Sequence, residues 1–330
     1  MLNTAIIGLG WWGRHIVDSI ADSKKLQIIR GVDTQSTEIK SLVNTQNFPI
    51  TNNLEDALRD KNVEAVILAT PHSLHEEQII RCAHAKKHVF VEKPMTLTAE
   101  GAKKAIEACE LANLTLGVGH ERRFEPAFKV VQNLVTNGSL GTLMHVESNF
   151  SHDLLAKTNP EDWRASQTEA PIPALSSMGI HLTDMYLNLF GPIREVYAHH
   201  AQRHTNWGSG DTLSVQVLFD SGMTGYISSI LATTMFIRFH VFGSNGWVEV
   251  RSDVHPGQKG ITRLIISENT QPIRTREFDY KDTVRANLEA FAEAICNSMP
   301  YPITTEEKLG NILTMEAIIK SANSGKPISV

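Results

Sequence analysis

The sequence predicts an α/β fold in two parts. The first is a doubly wound parallel sheet of the Rossmann type, and the second is an α/β domain built on a mainly antiparallel sheet. Three observations predict it. Short unbroken apolar runs alternate with helical patterns up to about residue 118, and a glycine-rich turn follows the first of these runs. Beyond residue 120, strand-like runs crowd together with few helical patterns between them.

The elements follow in order. Ala5–Ile6–Ile7 reads as a strand ending at Gly8, with a helix from Trp12 to Ala21 and a second strand over Leu26–Asp33. Ala65–Thr70, His88–Val91 and Leu114–Val118 are further strands. None alternates strictly, as expected for parallel strands covered on both faces. Helical patterns occupy Ser73–Lys86 and Ala99–Asn113. After Gly119 a helix is expected over Pro126–Thr136. Strands follow at Leu143–Ser151, Glu195–Gln202, Leu213–Asp220, Thr224–Leu231 and Ile237–Phe242, with turn signals at Asp220–Ser221–Gly222 and Ser244–Asn245–Gly246. A helix over Ser176–Phe190, and two more at Val284–Asn297 and Thr305–Ser324, complete the pattern. The expected division is residues 1–120 for dinucleotide binding and 121–330 for substrate binding and oligomerisation, with the domains packed directly and a cleft between them.

The 330-residue length suits two cores rather than one. Composition is that of an ordinary globular protein, and the net charge of -5 argues against a nucleic-acid partner. No apolar stretch reaches membrane-spanning length and no basic leader precedes one, so a cytoplasmic location is expected. Cys82, Cys109 and Cys296 are too scattered for a zinc ribbon or a disulfide framework and read as buried thiols. No metal site is expected.

Gly8–Leu9–Gly10–Trp11–Trp12–Gly13 is a GxGxxG between a strand and a helix. Gly8 allows the turn, Gly10 admits a pyrophosphate and Gly13 lets helix and strand approach. Asp33, 20 residues after Gly13, stands where a carboxylate accepts from ribose hydroxyls. It would repel a 2′-phosphate, and neither Thr34 nor Gln35 supplies an offsetting arginine, so NAD is favoured and NADP stays open. Thr70–Pro71–His72–Ser73–Leu74–His75 follows the next strand and borders the expected cofactor site, with Thr70, Pro71 and His75 its contacts. Glu92–Lys93–Pro94 ends the strand after that. Burial and a nearby nicotinamide would lower the pKa of Lys93 and make it a usable proton donor or acceptor, although a solvated surface lysine fits the residue pattern too.

These motifs, with GVGHERRF at residues 117–124, Trp163–Arg164 and Gly179–Ile180–His181–Leu182–Thr183–Asp184, resemble the Gfo/Idh/MocA family of oxidoreductases across nearly the whole chain. The resemblance implies that the second sheet is open. It also implies NAD(P)-dependent oxidation or reduction of sugars, cyclitols and related alcohols, with Lys93 and His181 as the catalytic groups. Glu92 joins the implied cofactor contacts. Arg122, Arg123, Trp163, Arg164, Ser177 and Asp184 are candidate substrate contacts beside Lys93 and His181.

One position departs from the family pattern. Ser177 stands four residues before His181, where the family commonly has Asp. Without that carboxylate His181 is less supported, and Lys93 is expected to carry more of the proton transfer. The departure keeps a second reading open, a dinucleotide-binding sensor or interaction protein without catalysis. A homodimer or homotetramer is expected through the outer face of the second sheet. Phe219, Tyr226, Ile230, Met235 and Phe239 supply more large apolar groups than one exposed face should show.

Overall fold

The computed structural model describes residues 1–34, 48–159, 161–206 and 210–330. Gln35 lies outside them. The chain divides into two compact units, Met1–Glu121 with Val284–Leu309, and Arg122–Thr283 with Gly310–Val330.

In the first unit the strands are β1 (Leu2–Ile7), β2 (Leu26–Val32), β3 (Ile50–Thr51), β4 (Ala65–Leu68), β5 (His88–Val91) and β6 (Leu116–Val118). They form one parallel sheet in the order β3-β2-β1-β4-β5-β6. This is the dinucleotide-binding order, and its direction reverses between β1 and β4, where ligands bind beyond the strand ends. Gly8, Asp33, Thr70 and Glu92 lie just beyond the carboxyl ends of β1, β2, β4 and β5. Helices α1 (Trp11–Ile20), α2 (Leu54–Leu58), α3 (His75–His84) and α4 (Ala99–Leu111) connect the strands. The expected helix over Ser73–Lys86 begins as a short 3-10 turn, His72–Leu74.

The expected single boundary near residue 120 does not describe the rest of the chain. Helix α7 (Thr283–Cys296) belongs with the first unit, where Val284, Leu288, Phe291 and Ala292 share a core with Leu2, Ile6, Ile67 and Phe90. The Phe291 and Phe90 rings meet edge to face at 5.6 Å. Gly117 of β6 makes the fit possible, because a Cβ there would lie 2.8 Å from both rings. Cys82 and Cys109 are buried, but Cys296 is exposed, because it is the last residue of α7.

The second unit holds a nine-stranded sheet in the order β14-β13-β12-β11-β7-β10-β9-β8-β15. Its strands are β7 (Leu143–Ser151), β8 (Ile193–Ala201), β9 (Thr212–Phe219), β10 (Thr224–Ile230), β11 (Phe236–Gly243), β12 (Gly246–Ser252), β13 (Ile261–Glu268), β14 (Arg274–Asp279) and β15 (Ile328–Ser329). All neighbours are antiparallel except β7 and β10. The remaining helices are α5 (Pro126–Thr136), α6 (Ile180–Phe190) and α8 (Thr305–Ser324).

Aromatic packing corrects the expected outer face. Phe219 and Phe239 are buried, in ring contact with Tyr186 and Phe190 of α6. They face the helices, and of the named five only Tyr226 counts among the exposed large apolar side chains. The opposite face carries polar pairs such as Arg238–Glu249 and the stacked rings of His240 and Phe242.

Candidate functional site

The first unit supplies a glycine turn. Gly8 has φ +90°, and a Cβ there would lie 2.5 Å from the Ala69 carbonyl oxygen. A Cβ at Gly13 would meet the Gly8 carbonyl oxygen at 1.9 Å, so turn and helix touch backbone to backbone. Gly10 is different, since its missing Cβ would meet nothing within 4 Å. Its bare side therefore faces open space. Gly10 is also the N-cap of α1, with no side-chain cap and no acidic residue in the first turn. The orphan N–H groups at that helix start are a site for an anion. Leu9 N–H donates to Asp33 Oδ2 at 2.7 Å, fixing the carboxylate against the turn. Trp11 is exposed, and Trp12 packs on His15 with centroids 4.9 Å apart. These residues fit a dinucleotide.

The loops after β4 and β5 are fastened to each other. His75 has no exposed surface, and its Nδ1 and Nε2 lie 2.8 Å from the Pro94 carbonyl oxygen and 3.0 Å from that of Thr70. The fully buried side chain thus spans the two loops. Thr70 donates its hydroxyl to Gln78 at 2.6 Å, and Pro71 precedes the 3-10 turn. Glu92 is buried, and burial pushes its carboxyl up to about 7 against the opposing pull of the Trp12 indole N–H and the Lys93 charge. A Cβ on Gly119 would lie 2.6 Å from Glu92 Oε2, so this glycine makes room for the carboxyl. Lys93 is half-buried, donates its backbone N–H to Glu92 at 3.3 Å, and precedes a cis bond to Pro94.

The second unit supplies a ring cluster at one end of the sheet. His181 stands in the first turn of α6, behind a π turn over Leu175–Gly179. Its ring lies 6.1 Å from that of Phe150, near the end of β7. His152 and His255 approach the same phenyl ring at 5.5 and 6.0 Å, and each other at 5.6 Å. Arg122 stands 4.7 Å from the Phe150 centroid and 5.7 Å from that of Phe128. Its Nε donates to Glu125 at 2.8 Å, while Nη1 is buried with no hydrogen-bond partner among the described residues. Burial raises the Glu125 pKa despite the neighbouring guanidinium.

The other candidates divide. Arg123 donates through Nε and Nη2 to the two oxygens of Asp184, at 2.8 and 2.7 Å, and both side chains are nearly inaccessible. They are partners of each other. Ser177 donates its hydroxyl to the Pro173 carbonyl oxygen at 2.5 Å, one turn back along its own segment. Trp163 and Arg164 stack at 4.2 Å and remain partly exposed.

His152 and His255 were not singled out from sequence. A signal existed for the first, because Val146, Ser148, Phe150 and His152 share one face at the two-residue period of β7. His255 lies in the turn between β12 and β13, two strands not expected from the sequence. Among the described residues no cluster of three or more His, Cys, Asp or Glu could hold a metal ion, and no helix is long and apolar enough to cross a membrane.

Known proteins are similar to this chain in sequence and fold. Residues 2–120 match the model of an oxidoreductase family with an NAD-binding Rossmann fold, and residues 128–249 match the GFO/IDH/MocA C-terminal domain. An uncharacterized oxidoreductase of Bacillus subtilis, YrbE, is 29% identical over 349 residues, spanning 99% of this chain and 96% of that protein. The myo-inositol 2-dehydrogenase of Thermotoga maritima is 32% identical over 290 residues, spanning 83% and 82%. Among solved structures, an aldose-aldose oxidoreductase of Caulobacter crescentus complexed with glycerol has a TM-score of 0.89 and 25% identity, with 100% and 99% of the two chains covered.

Proposed function

The chain belongs to the Gfo/Idh/MocA family of NAD(P)-dependent oxidoreductases, and within it we propose a dehydrogenase acting on a carbinol carbon of a sugar, cyclitol or related alcohol. The observation that carries this reading is the end of the second unit's sheet. There a histidine and a guanidinium with a buried unsatisfied N–H flank one phenyl ring. An unmet buried donor costs about 1–3 kcal/mol, which a hydroxyl oxygen of a ligand offsets. The Thermotoga maritima relative, a myo-inositol 2-dehydrogenase, acts on a cyclitol.

The bound nicotinamide supplies the hydride chemistry; this chain supplies orientation and proton transfer. The N–H groups at the start of α1 hold the pyrophosphate, and Asp33 accepts from the adenosine ribose, which favours NAD over NADP. Glu92, Trp12, Thr70 and Pro71 shape the loops on the cofactor side. In the direction of oxidation the neutral Lys93 amine accepts the proton of the substrate hydroxyl, and in the direction of reduction the Lys93 ammonium returns it. His181, on the second unit, is a second acid or base for the substrate. Arg122, Trp163 and Arg164 hold the remaining hydroxyls. Arg123 and Asp184 fix α6 and with it His181, while Ser177 brings no charge to that histidine. The working form is a cytoplasmic homodimer or homotetramer, joined through the outer sheet face, where Tyr226 and the His240–Phe242 stack lie.

The test is a panel of sugars, inositols and hydroxy acids offered with NAD and with NADP, followed by nicotinamide absorbance. Reduction of the dinucleotide by a polyol supports the reading. Turnover confined to hydroxy acids contradicts it.

A further inference from the structure

Glu92 is a buried acid that the proton transfer at Lys93 does not use. It follows the last residue of β5 and is 7% exposed. Three segments of the first unit enclose its carboxyl. Lys93 donates its backbone N–H to Oε2 at 3.3 Å. The indole N–H of Trp12, in the first turn of α1, pulls on the same group. Gly119, just beyond β6, lies against it: a Cβ there would be 2.6, 2.7 and 2.7 Å from Oε2, Cδ and Oε1. The carboxyl thus rests flat on the one residue type that admits it.

Sheet order fixes which part of a dinucleotide this group meets. Asp33 follows β2 and takes the adenosine ribose, while the start of α1, after β1, takes the pyrophosphate. β2 and β4 flank β1 on opposite sides. A dinucleotide held at those two points runs on past β4 toward β5, so its nicotinamide half reaches the end of the sheet where Glu92 stands. This position rests on the dehydrogenase reading.

The charged surroundings are few. From its own loop comes the Lys93 ammonium, which favours the carboxylate. Behind Trp12 lies His15, with ring centroids 4.9 Å apart. His120 and Glu121 follow Gly119, and His75 spans the Thr70 and Pro94 carbonyl oxygens. Burial outweighs both the ammonium and the indole, so the carboxyl of the chain alone titrates at about 7.

A nicotinamide ring is a cation when oxidised and neutral when reduced. The cation favours the ionised form of a carboxyl beside it, and the neutral ring, which only removes water, favours the protonated form. We propose that Glu92 is a redox-linked proton carrier: it releases its proton when the oxidised dinucleotide binds and takes one up when the ring is reduced. The charges then balance through the reaction. The hydride leaves the carbinol carbon with its electron pair and cancels the charge of the ring. The hydroxyl proton passes to Lys93 and from there to the Glu92 carboxylate. Ring and carboxyl together carry no net charge before the transfer and none after it, and Lys93 is again a neutral amine.

The test is calorimetric titration of the full chain with NAD, NADH and ADP-ribose, which lacks the nicotinamide, between pH 5.5 and 8.5. Two buffers of different ionisation enthalpy at each pH give the number of protons exchanged. NAD should bind about tenfold more tightly at pH 8 than at pH 6, releasing close to one proton at pH 6. NADH and ADP-ribose should show no gain with pH and no release. Glu92→Gln, which cannot ionise, should make the NAD profile flat. Lys93→Met should keep the release and move it to higher pH, because the ammonium no longer holds the Glu92 pKa down. An NADH or ADP-ribose profile parallel to that of NAD overturns the proposal, whether or not Glu92→Gln folds. So does a release that Lys93→Met loses and Glu92→Gln keeps. Polyol oxidation by a chain with parallel NAD and NADH profiles removes the proton carrier and leaves the dehydrogenase. The asymmetry in a chain that oxidises no sugar or cyclitol supports the proton link and removes the dehydrogenase.

Discussion

Arg123 and Asp184 meet as a two-pronged ion pair, with side chains 4% and 1% exposed. Asp184 lies three residues beyond His181, so the pair anchors the helix that carries the histidine. Removing one member strands a buried charge, which typically costs about 3–5 kcal/mol. Asp184→Asn should lower the urea midpoint accordingly, while a double change of Arg123 and Asp184 to Met and Leu should cost less. A single variant as stable as the parent would remove the pair from the account.

Glu92 should make stability fall as pH rises. Its folded pKa of about 7 exceeds the ordinary value of 4.5, so the neutral form is favoured by the fold. The contribution is fully present below about 4.5 and is lost as pH rises through 7. A shift of this size corresponds to as much as about 3 kcal/mol. Glu92→Gln cannot ionise, so thermal melting of parent and variant should diverge between pH 5 and 8, the parent losing ground. Parallel profiles would show that Glu92 is charged throughout.

Asp33 is bound to the Leu9 N–H, so its removal should disturb the glycine turn as well as the ribose contact. Asp33→Ala should weaken NAD several-fold and affect NADP less. Fluorescence titration of both dinucleotides reads the difference. Tighter NADP than NAD binding by the parent would reverse the assigned preference.

Five of the six parallel strands were legible from their apolar runs, whereas β3, only Ile50–Thr51, is too short to carry a pattern. The strand of residues 143–151 was legible for its alternation. β14 was not, because nearly all its residues are exposed and it has no apolar period to detect. The return of α7 to the first unit was also hidden. Val284, Leu288 and Phe291 announce a buried stripe but not which core receives it. As candidate acid–base groups, Lys93 and His181 were reachable through motifs. His255 was not, since nothing in the sequence of a turn between undetected strands connects it to Phe150. Asp184 was legible as important, yet its partner Arg123, 61 positions away, made its role visible only in three dimensions.

In the proposed mechanism Lys93 carries most of the proton transfer, because Ser177 brings no carboxylate to His181 and the Asp184 carboxylate is bound by Arg123. The direct measurement is kcat/KM of Lys93→Ala and His181→Ala on one active polyol, with NADH affinity measured for each. A positioned acid–base group is typically worth about 10²–10⁴ in rate. Lys93→Ala should lose activity within that range, lose more than His181→Ala, and keep NADH affinity within a few fold. A loss at His181 equal to or greater than that at Lys93 would contradict the account.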